Sequence, residues 1–448
     1  MRSVSIRKAA SLAGLLLGLI CNSRAFAAES ELIGPPNAPP MRVNALSLAD
    51  LEQMALQGNP TLAQAAAQVG NSRSKALQAG LYPNPTIGYV GEQIGSAGTP
   101  GEFQGGIVQQ TIVTAGKLRL SRAKYNQESL EAEIRLLQQQ YRVLNGVRMR
   151  YYELLALQRM IDLHRSILAN AQESLRTHEE MFNTGQANRA EVLLAKVAVN
   201  DAKIALRTLE NRYPNVWQHL TALLGTPELL PTPLEGQLEP DGPPLDWQSS
   251  LQRLLAESPE LHAAQAHVVH DQITLQREKV EPIPDLQFNA GTGYNFESRN
   301  TVAEVGVRIE LPLWDRNQGT IRQVQTDLAH SQAEVRRVEL LLRQHLANAF
   351  DRYQTALESS EIYRELSIPQ ATEAYEVQLD MYKKRRIAWP EVVMLQRRPL
   401  EEREKYTRSL LQLRQTEVEI RGLLLVDGLT SPPAPSPGGH LEATPRPR

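Results

Sequence analysis

The sequence predicts a mainly α-helical fold with a small β part, built from a duplicated unit of helix, β-hairpin, very long helix and helix. Three observations predict it. The stretch from Ser121 to Phe182 runs for about 60 residues without a proline, a rod of roughly 90 Å at 1.5 Å per residue. A second stretch of similar length runs from Thr320 to Tyr382, about 200 residues later. Ahead of each rod lie two alternating stretches parted by turn residues, the pattern of a β-hairpin. Helices this long cannot bury an apolar stripe inside one compact domain, so they need other helices, from this chain or from copies of it.

Composition narrows the function. Among 448 residues, 22% are charged and 42% hydrophobic, with a formal net charge of −2. That balance gives no electrostatic case for nucleic acid, which calls for a clustered basic surface. Aromatics make up only 5%, low for an α/β enzyme. There is no nucleophile elbow, Gly-rich phosphate loop or metal-ligand spacing, so neither an enzyme nor a cofactor is expected.

The N-terminus reads as a secretory signal peptide over residues 1–27. Arg2, Arg7 and Lys8 precede an apolar run from Ala9 to Ile20, and Ala25-Phe26-Ala27 supplies the cleavage site. The single cysteine, Cys21, lies inside this segment, and Ile20 before it disfavours lipidation. The mature chain is then free of disulfides and thiolate metal sites. No later apolar run is long enough for a membrane-spanning helix, so any membrane crossing must use β-strands.

Residues 28–45 form a proline-bearing irregular leader, and the first repeat spans 46–225. It opens with a helix from Leu48 to about Gly80, broken at Asn59-Pro60 because the residue before proline avoids helical angles. Tyr82-Pro83-Asn84-Pro85 stops it. A hairpin follows at about 86–113, then the long helix at about 121–182. Within that helix Ile134, Leu137, Tyr141 and Leu144 keep the spacing of a coiled-coil seam. After a turn, a helix at about 190–225 is expected to be interrupted near Pro214.

A proline-rich linker covers 226–246, and the second repeat spans 247–428. Ser258-Pro259 matches Asn59-Pro60, and Pro282-Ile283-Pro284 matches Pro83-Asn84-Pro85. The hairpin falls at about 285–311, the long helix at about 320–382 and the last helix at about 390–425. The constant offset of about 200 residues marks an internal duplication. The tail, 429–448, has the composition of a disordered segment.

Each hairpin strand is about the length that a tilted strand needs to cross a bilayer. Val305, Val307, Ile309 and Leu311 alternate with Glu304, Gly306, Arg308 and Glu310, so one face suits lipid and the other water. Four strands cannot close a barrel alone, and open edges are not tolerated in hydrocarbon. A membrane role therefore demands oligomerisation. The competing reading is a secreted periplasmic coiled-coil scaffold whose hairpins stay soluble.

Taken together, Leu48-Ala49-Asp50-Leu51 with Asn59-Pro60, Tyr82-Pro83-Asn84-Pro85, Thr114-Ala115-Gly116-Lys117 and Leu311-Pro312-Leu313-Trp314-Asp315 resemble the TolC-like outer-membrane efflux proteins over about residues 46–428. The Pro-Asn-Pro segment and the Gly-Lys turn look closest to the branch serving heavy-metal pumps. The resemblance implies a homotrimer with a trimeric α-helical periplasmic barrel and a 12-stranded outer-membrane β-barrel, four strands per chain. It implies a passive exit duct for metal cations or small drugs. Its partners would be outer-membrane lipid, a periplasmic adaptor and an inner-membrane pump of the resistance-nodulation-division type.

The resemblance also marks the two turns between paired helices as periplasmic tips, where the tunnel narrows and the adaptor docks. Adaptor-docking candidates are Gly185, Gln186 and Arg189 on the first tip and Lys383, Lys384, Arg385 and Arg386 on the second. Arg385 stands where a glycine is usual, and Ile387 where the family can carry a gate arginine. Tyr382 and Glu391 match constriction positions. Met394 replaces a second acidic position, leaving one carboxylate ring at Glu391. Glu191 either caps its helix, an acid in a first turn complementing the dipole, or joins a polar ring near the gate. Pro369 and Pro390 are expected to bend their helices inward. His262, His267 and His270 share one helix and read as a solvated or packed face, with no metal assigned to them.

Overall fold

The computed structural model describes residues 45–95, 101–387 and 389–431, and of Trp389, Pro390, Val393 and Met394 the backbone alone. The expected signal peptide with Cys21, nearly all of the expected leader and most of the expected tail lie outside the described residues.

Both halves carry the same order of elements. In the first, α1 (Leu48–Gly58) and α2 (Pro60–Ala79) lead into β1 (Thr86–Glu92) and β2 (Phe103–Ile112), then α3 (Lys117–Asn183) and α4 (Arg189–Leu224). In the second, α5 (Trp247–Glu257) and α6 (Pro259–Val280) lead into β3 (Leu286–Asn295) and β4 (Asn300–Ile309). A rod of α7 (Gln318–Ile362), a π-helical turn (Tyr363–Ser367) and α8 (Ile368–Lys383) follows, then α9 (Trp389–Gln396) and α10 (Arg398–Arg421).

Asn59 explains the break between α1 and α2. Its extended backbone caps α2, its side chain accepts from Thr61 N–H, and Pro60 takes the first helical position, where no N–H is needed. The Asn59 amide also donates 2.8 Å to the Leu223 carbonyl, tying the bend to the end of α4. Ser258 and Pro259 repeat the break between α5 and α6.

The rod α3 has 67 residues, about 100 Å of helix. It starts four residues before the expected Ser121 because Gly116, in left-handed backbone at φ 68°, turns the chain straight from β2 into the helix. Asn317 does the same for α7 at φ 57°. At this junction Lys117 Nζ lies 3.0 Å from Asp285 Oδ1. Thr114 donates its N–H to the same oxygen at 2.9 Å and its hydroxyl to Pro284 O at 2.7 Å. The Gly-Lys turn of the first repeat is thus locked to the proline segment of the second, and Lys117 is only 4% exposed.

The core lies at mid-rod. Val143, Val147 and Leu154 of α3 pack with Leu51 of α1, Leu220 and Leu224 of α4, Leu342 and Leu346 of α7, and Leu410 and Leu413 of α10. This corrects the expected seam. Val143, Val147 and Leu154 are fully buried, whereas Ile134, Tyr141 and Leu144 are half-buried and Leu137 is 45% exposed. The reason is that α3 touches α1, α2, α4, α6 and α10 within this chain, so several of its faces are partnered and one apolar stripe does not identify the inner one.

Three proline readings also change. Pro214 sits inside an unbroken α4; the helix forgoes one hydrogen bond while Val216, Trp217 and Leu220 anchor its far half in the core. Pro390 is the second residue of α9, a position that tolerates its missing N–H, so it starts a helix and does not bend one. The last helical segment is divided at Arg397, with Pro399 opening α10. Pro369 does lie inside its rod, directly after the π-helical turn, where Ile368 N–H bonds to the Tyr363 carbonyl five residues back.

The strands form one antiparallel sheet in the order β1-β2-β3-β4. Its register aligns Ile87, Val108, Ala290 and Val305 in one row across all four strands. Phe288 pairs with Val307, and Leu286 with Ile309, on the same face. The opposite face carries Gln109, Gln287, Asn289, Glu304 and Arg308 among glycines. Strands β2, β3 and β4 have 10 residues each. Among the described residues, no helix is long and apolar enough to cross a membrane.

Candidate channel surfaces

Two surfaces carry the functional reading: the apolar face of the sheet and the two tips. The sheet face is apolar and open in a single chain. Ile87 is 83% exposed, Val305 68%, and Tyr89, Val307 and Ile309 are also exposed. Each such side chain would contribute about 1.5–3 kcal/mol if removed from water. Among the described residues, β1 and β4 each pair on one side only, and such open edges call for further strands.

The first tip is closed by Gly185 at φ 74°. Thr184 N–H bonds to Glu180 O at 3.1 Å, Gly185 N–H to Phe182 O at 3.0 Å and Gln186 N–H to Met181 O at 2.7 Å. Asn188 then caps α4, of which Arg189 is the first residue. Glu191 N–H donates 3.0 Å to Asn188 Oδ1, and Glu191 accepts from the Asn188 N–H at 3.2 Å and from its amide at 2.9 Å. The Glu191 carboxylate is therefore committed to a capping box, worth about 1 kcal/mol to the helix start.

Beside this turn a groove of about 530 Å³ runs between α3 and α4, lined by Glu179, Phe182, Asn183, Arg189, Val192, Leu193 and Lys196. Lys196 reaches Glu179 at 3.3 Å across it. Leu193 and Leu194 are exposed. Sequence reasoning missed Phe182, Leu193 and Lys196 as groove residues, although two adjacent leucines at a helix start were a visible signal, since one helix face can bury only one of them.

The second tip repeats these bonds with different side chains. Lys384 N–H bonds to Asp380 O at 3.0 Å, Arg385 N–H to Tyr382 O at 2.8 Å and Arg386 N–H to Met381 O at 2.9 Å. Arg385 holds φ 55°. Lys384 Nζ lies 2.5 Å from Asp380 Oδ2. Lys383 ends α8, so the four cations Lys383–Arg386 crowd the negative end of a helix dipole. Lys383, Lys384, Arg385, Arg386, Tyr382 and Glu391 are all exposed, and Ile387 is half-buried. Glu391 lies in the first turn of α9. Each tip is thus internally braced, with Arg189 and Lys383–Arg386 exposed.

A separate polar cluster sits between α3 and α6. His267 Nδ1 lies 3.2 Å from Glu131 Oε1, and His270 Nδ1 lies 3.1 Å from Asp271 Oδ1. The Glu131 hydrogen bond lifts His267 above the ordinary imidazole pKa. His262, on the same helix, is half-buried.

One family model matches most of this chain, and one relative and several solved structures are similar to it. The family described as "Outer membrane efflux protein" matches residues 51–226 and 250–424. The cobalt-zinc-cadmium resistance protein CzcC of Cupriavidus metallidurans is 23% identical over 393 residues, 87% of this chain and 92% of that one. A solved structure of CusC, described in terms of folding and transmembrane channel formation, superposes with a TM-score of 0.71 at 16% identity over 85% of this chain and 92% of its own. The outer-membrane protein VceC of Vibrio cholerae gives 0.68 at 17% identity over 85% and 96%.

Proposed function

The chain belongs to the outer membrane efflux protein family, and from that premise we propose that it is the channel subunit of a tripartite efflux system, a passive exit duct fed by an inner-membrane pump through a periplasmic adaptor. Members of this family are channels and not enzymes, located in the outer membrane with a periplasmic extension.

One observation carries the reading: a four-stranded sheet with an exposed apolar face joins directly to helices of about 100 Å. A soluble scaffold would leave that face in water. Lipid on the apolar side and an aqueous lumen on the side of Gln109, Asn289, Glu304 and Arg308 satisfy both faces together. The open edges of β1 and β4 support a homotrimer, in which three sheets of four strands close into a barrel of twelve.

The tips support a docking and gating role. The groove beside Gly185, Gln186 and Arg189 offers the adaptor Phe182 and Leu193 among the charges of Glu179, Arg189 and Lys196. The cations Lys383 to Arg386 offer it a basic knob. In the trimer, Tyr382 and Glu391 would ring the narrow end, and three Glu391 carboxylates favour cations. Glu191 serves its own helix cap, so its part in the gate is to hold the first tip rigid. The π-helical turn before Pro369 gives the second rod a place to bend.

Divalent metal cations are the substrate class this reading favours, on the strength of the relative named for cobalt, zinc and cadmium resistance. The test is accumulation in a strain deleted for this gene. Raised cellular zinc, cobalt or cadmium, restored by the gene in trans, is expected. Raised retention of a hydrophobic dye with metals unchanged would assign organic substrates instead.

A further inference from the structure

We propose that Glu131, His267 and His270 form a binding site for a first-row divalent cation such as Zn2+, which staples α3 to α6. The channel reading does not require this site, because both helices belong to one chain and pack together within it.

Three observations carry the assignment. One ligand atom from each of Glu131, His267 and His270 lies within 4.8 Å of the other two. Two imidazoles and a carboxylate are the donor set that Zn2+, Co2+ and Ni2+ share. Tetrahedral bonds of about 2.0–2.2 Å would bring such atoms to about 3.4 Å apart, a closure within reach of side-chain rotation at half-exposed His267.

The second observation is burial. Glu131 is 5% exposed although it is a carboxylate inside a helix. It holds Arg135 only at 3.5 Å, so its best partner is His267. A buried carboxylate favours a strong positive counter-charge, and a divalent cation supplies one directly.

The third is the support behind the ligands. Asp271, also buried, accepts from His270 Nδ1 at 3.1 Å. In the proposed site His270 gives Nδ1–H to Asp271 and takes the cation on Nε2, the carboxylate–histidine arrangement found behind metal-bound imidazoles. His267 and His270 stack at 5.4 Å between ring centroids, one turn apart on α6. Glu131 faces them from the first repeat. The cation would therefore cross-link the two repeats, on the side of the core toward the sheet.

The test uses full-length protein, without a histidine tag, extracted from membranes in detergent. After dialysis against Zn2+ in neutral buffer, elemental analysis should find one zinc per chain, and Zn2+ should raise the thermal unfolding midpoint. Co2+ should give the intense visible absorption of a tetrahedral centre. Glu131→Gln and the double variant His267→Gln with His270→Gln should lose the zinc, the midpoint rise and the cobalt band, while His262→Gln keeps all three. Asp271→Asn should weaken binding about 10–100-fold without abolishing it. Wild-type protein with no zinc above the buffer, or Glu131→Gln with wild-type zinc content, overturns the site and leaves a hydrogen-bonded pair between packed helices.

Discussion

Gly185 and Arg385 occupy the same place in the two tips, each in left-handed backbone, at φ 74° and 55°, and each donating its N–H to the aromatic residue three positions back, Phe182 or Tyr382. The two halves share the turn and differ in its side chain. A side chain with a Cβ costs about 1 kcal/mol more than glycine in this conformation.

Arg385→Gly should therefore steady the second tip. Amide exchange at Lys384–Arg386 should slow by about fivefold, the equivalent of about 1 kcal/mol. Gly185→Val should accelerate exchange at the first tip by at least as much. Equal exchange in both pairs of proteins would show that the turn conformation carries no such strain.

The contact between Lys117 and Asp285 should hold the sheet to the helices. Lys117→Met leaves Asp285 half-paired near the protein interior and should cost about 3 kcal/mol. Adding Asp285→Asn should recover part of that loss in a double-mutant cycle. Additive losses in thermal unfolding would mean that the two residues act independently.

The apolar sheet face gives a directional prediction. Val307→Lys puts a charge on the row paired with Phe288 and should destabilise the inserted protein by about 2–4 kcal/mol, lowering its outer-membrane yield. Arg308→Lys, on the opposite face, should leave the yield unchanged. Equal losses would contradict the assignment of faces.

Acid should loosen the helix pair α3–α10 through Glu404. Hydrogen bonds from His164 at 3.1 Å and Arg408 at 2.5 Å hold its carboxylate down at about 2, against an ordinary 4.5. A carboxylate whose pKa is depressed in the folded state gives stability that is present above its ordinary value and lost as pH falls through the depressed one. Between about pH 4.5 and pH 2, the wild-type melting temperature should thus fall more steeply than that of Glu404→Gln. Parallel slopes would remove Glu404 from the acid response.

Much of this was legible in the sequence, for local reasons. Asn59-Pro60 and Ser258-Pro259 mark helix starts because proline restricts its own backbone and its neighbour's. Strand alternation at Val305, Val307 and Ile309 exposed the amphipathic sheet because its period is two. What stayed hidden depends on distant partners. The inner face of α3 is chosen by five other helices, so the regular stripe through Leu137 gave no sign that Val143 and Val147 were the buried side. Glu131 and His267 are 136 positions apart, and no spacing rule joins them. Pro214 is absorbed because core contacts on both sides outweigh one lost hydrogen bond. The Glu191 cap was readable from Asn188 three residues before it.

A channel subunit of this kind should conduct ions through the outer membrane. Planar-bilayer recording of protein extracted from the outer-membrane fraction tests it most directly. The recordings should show discrete, low-conductance, cation-selective openings whose selectivity shifts in Glu391→Ala. Protein recovered in the soluble periplasmic fraction, with no channel activity in the bilayer, would contradict it.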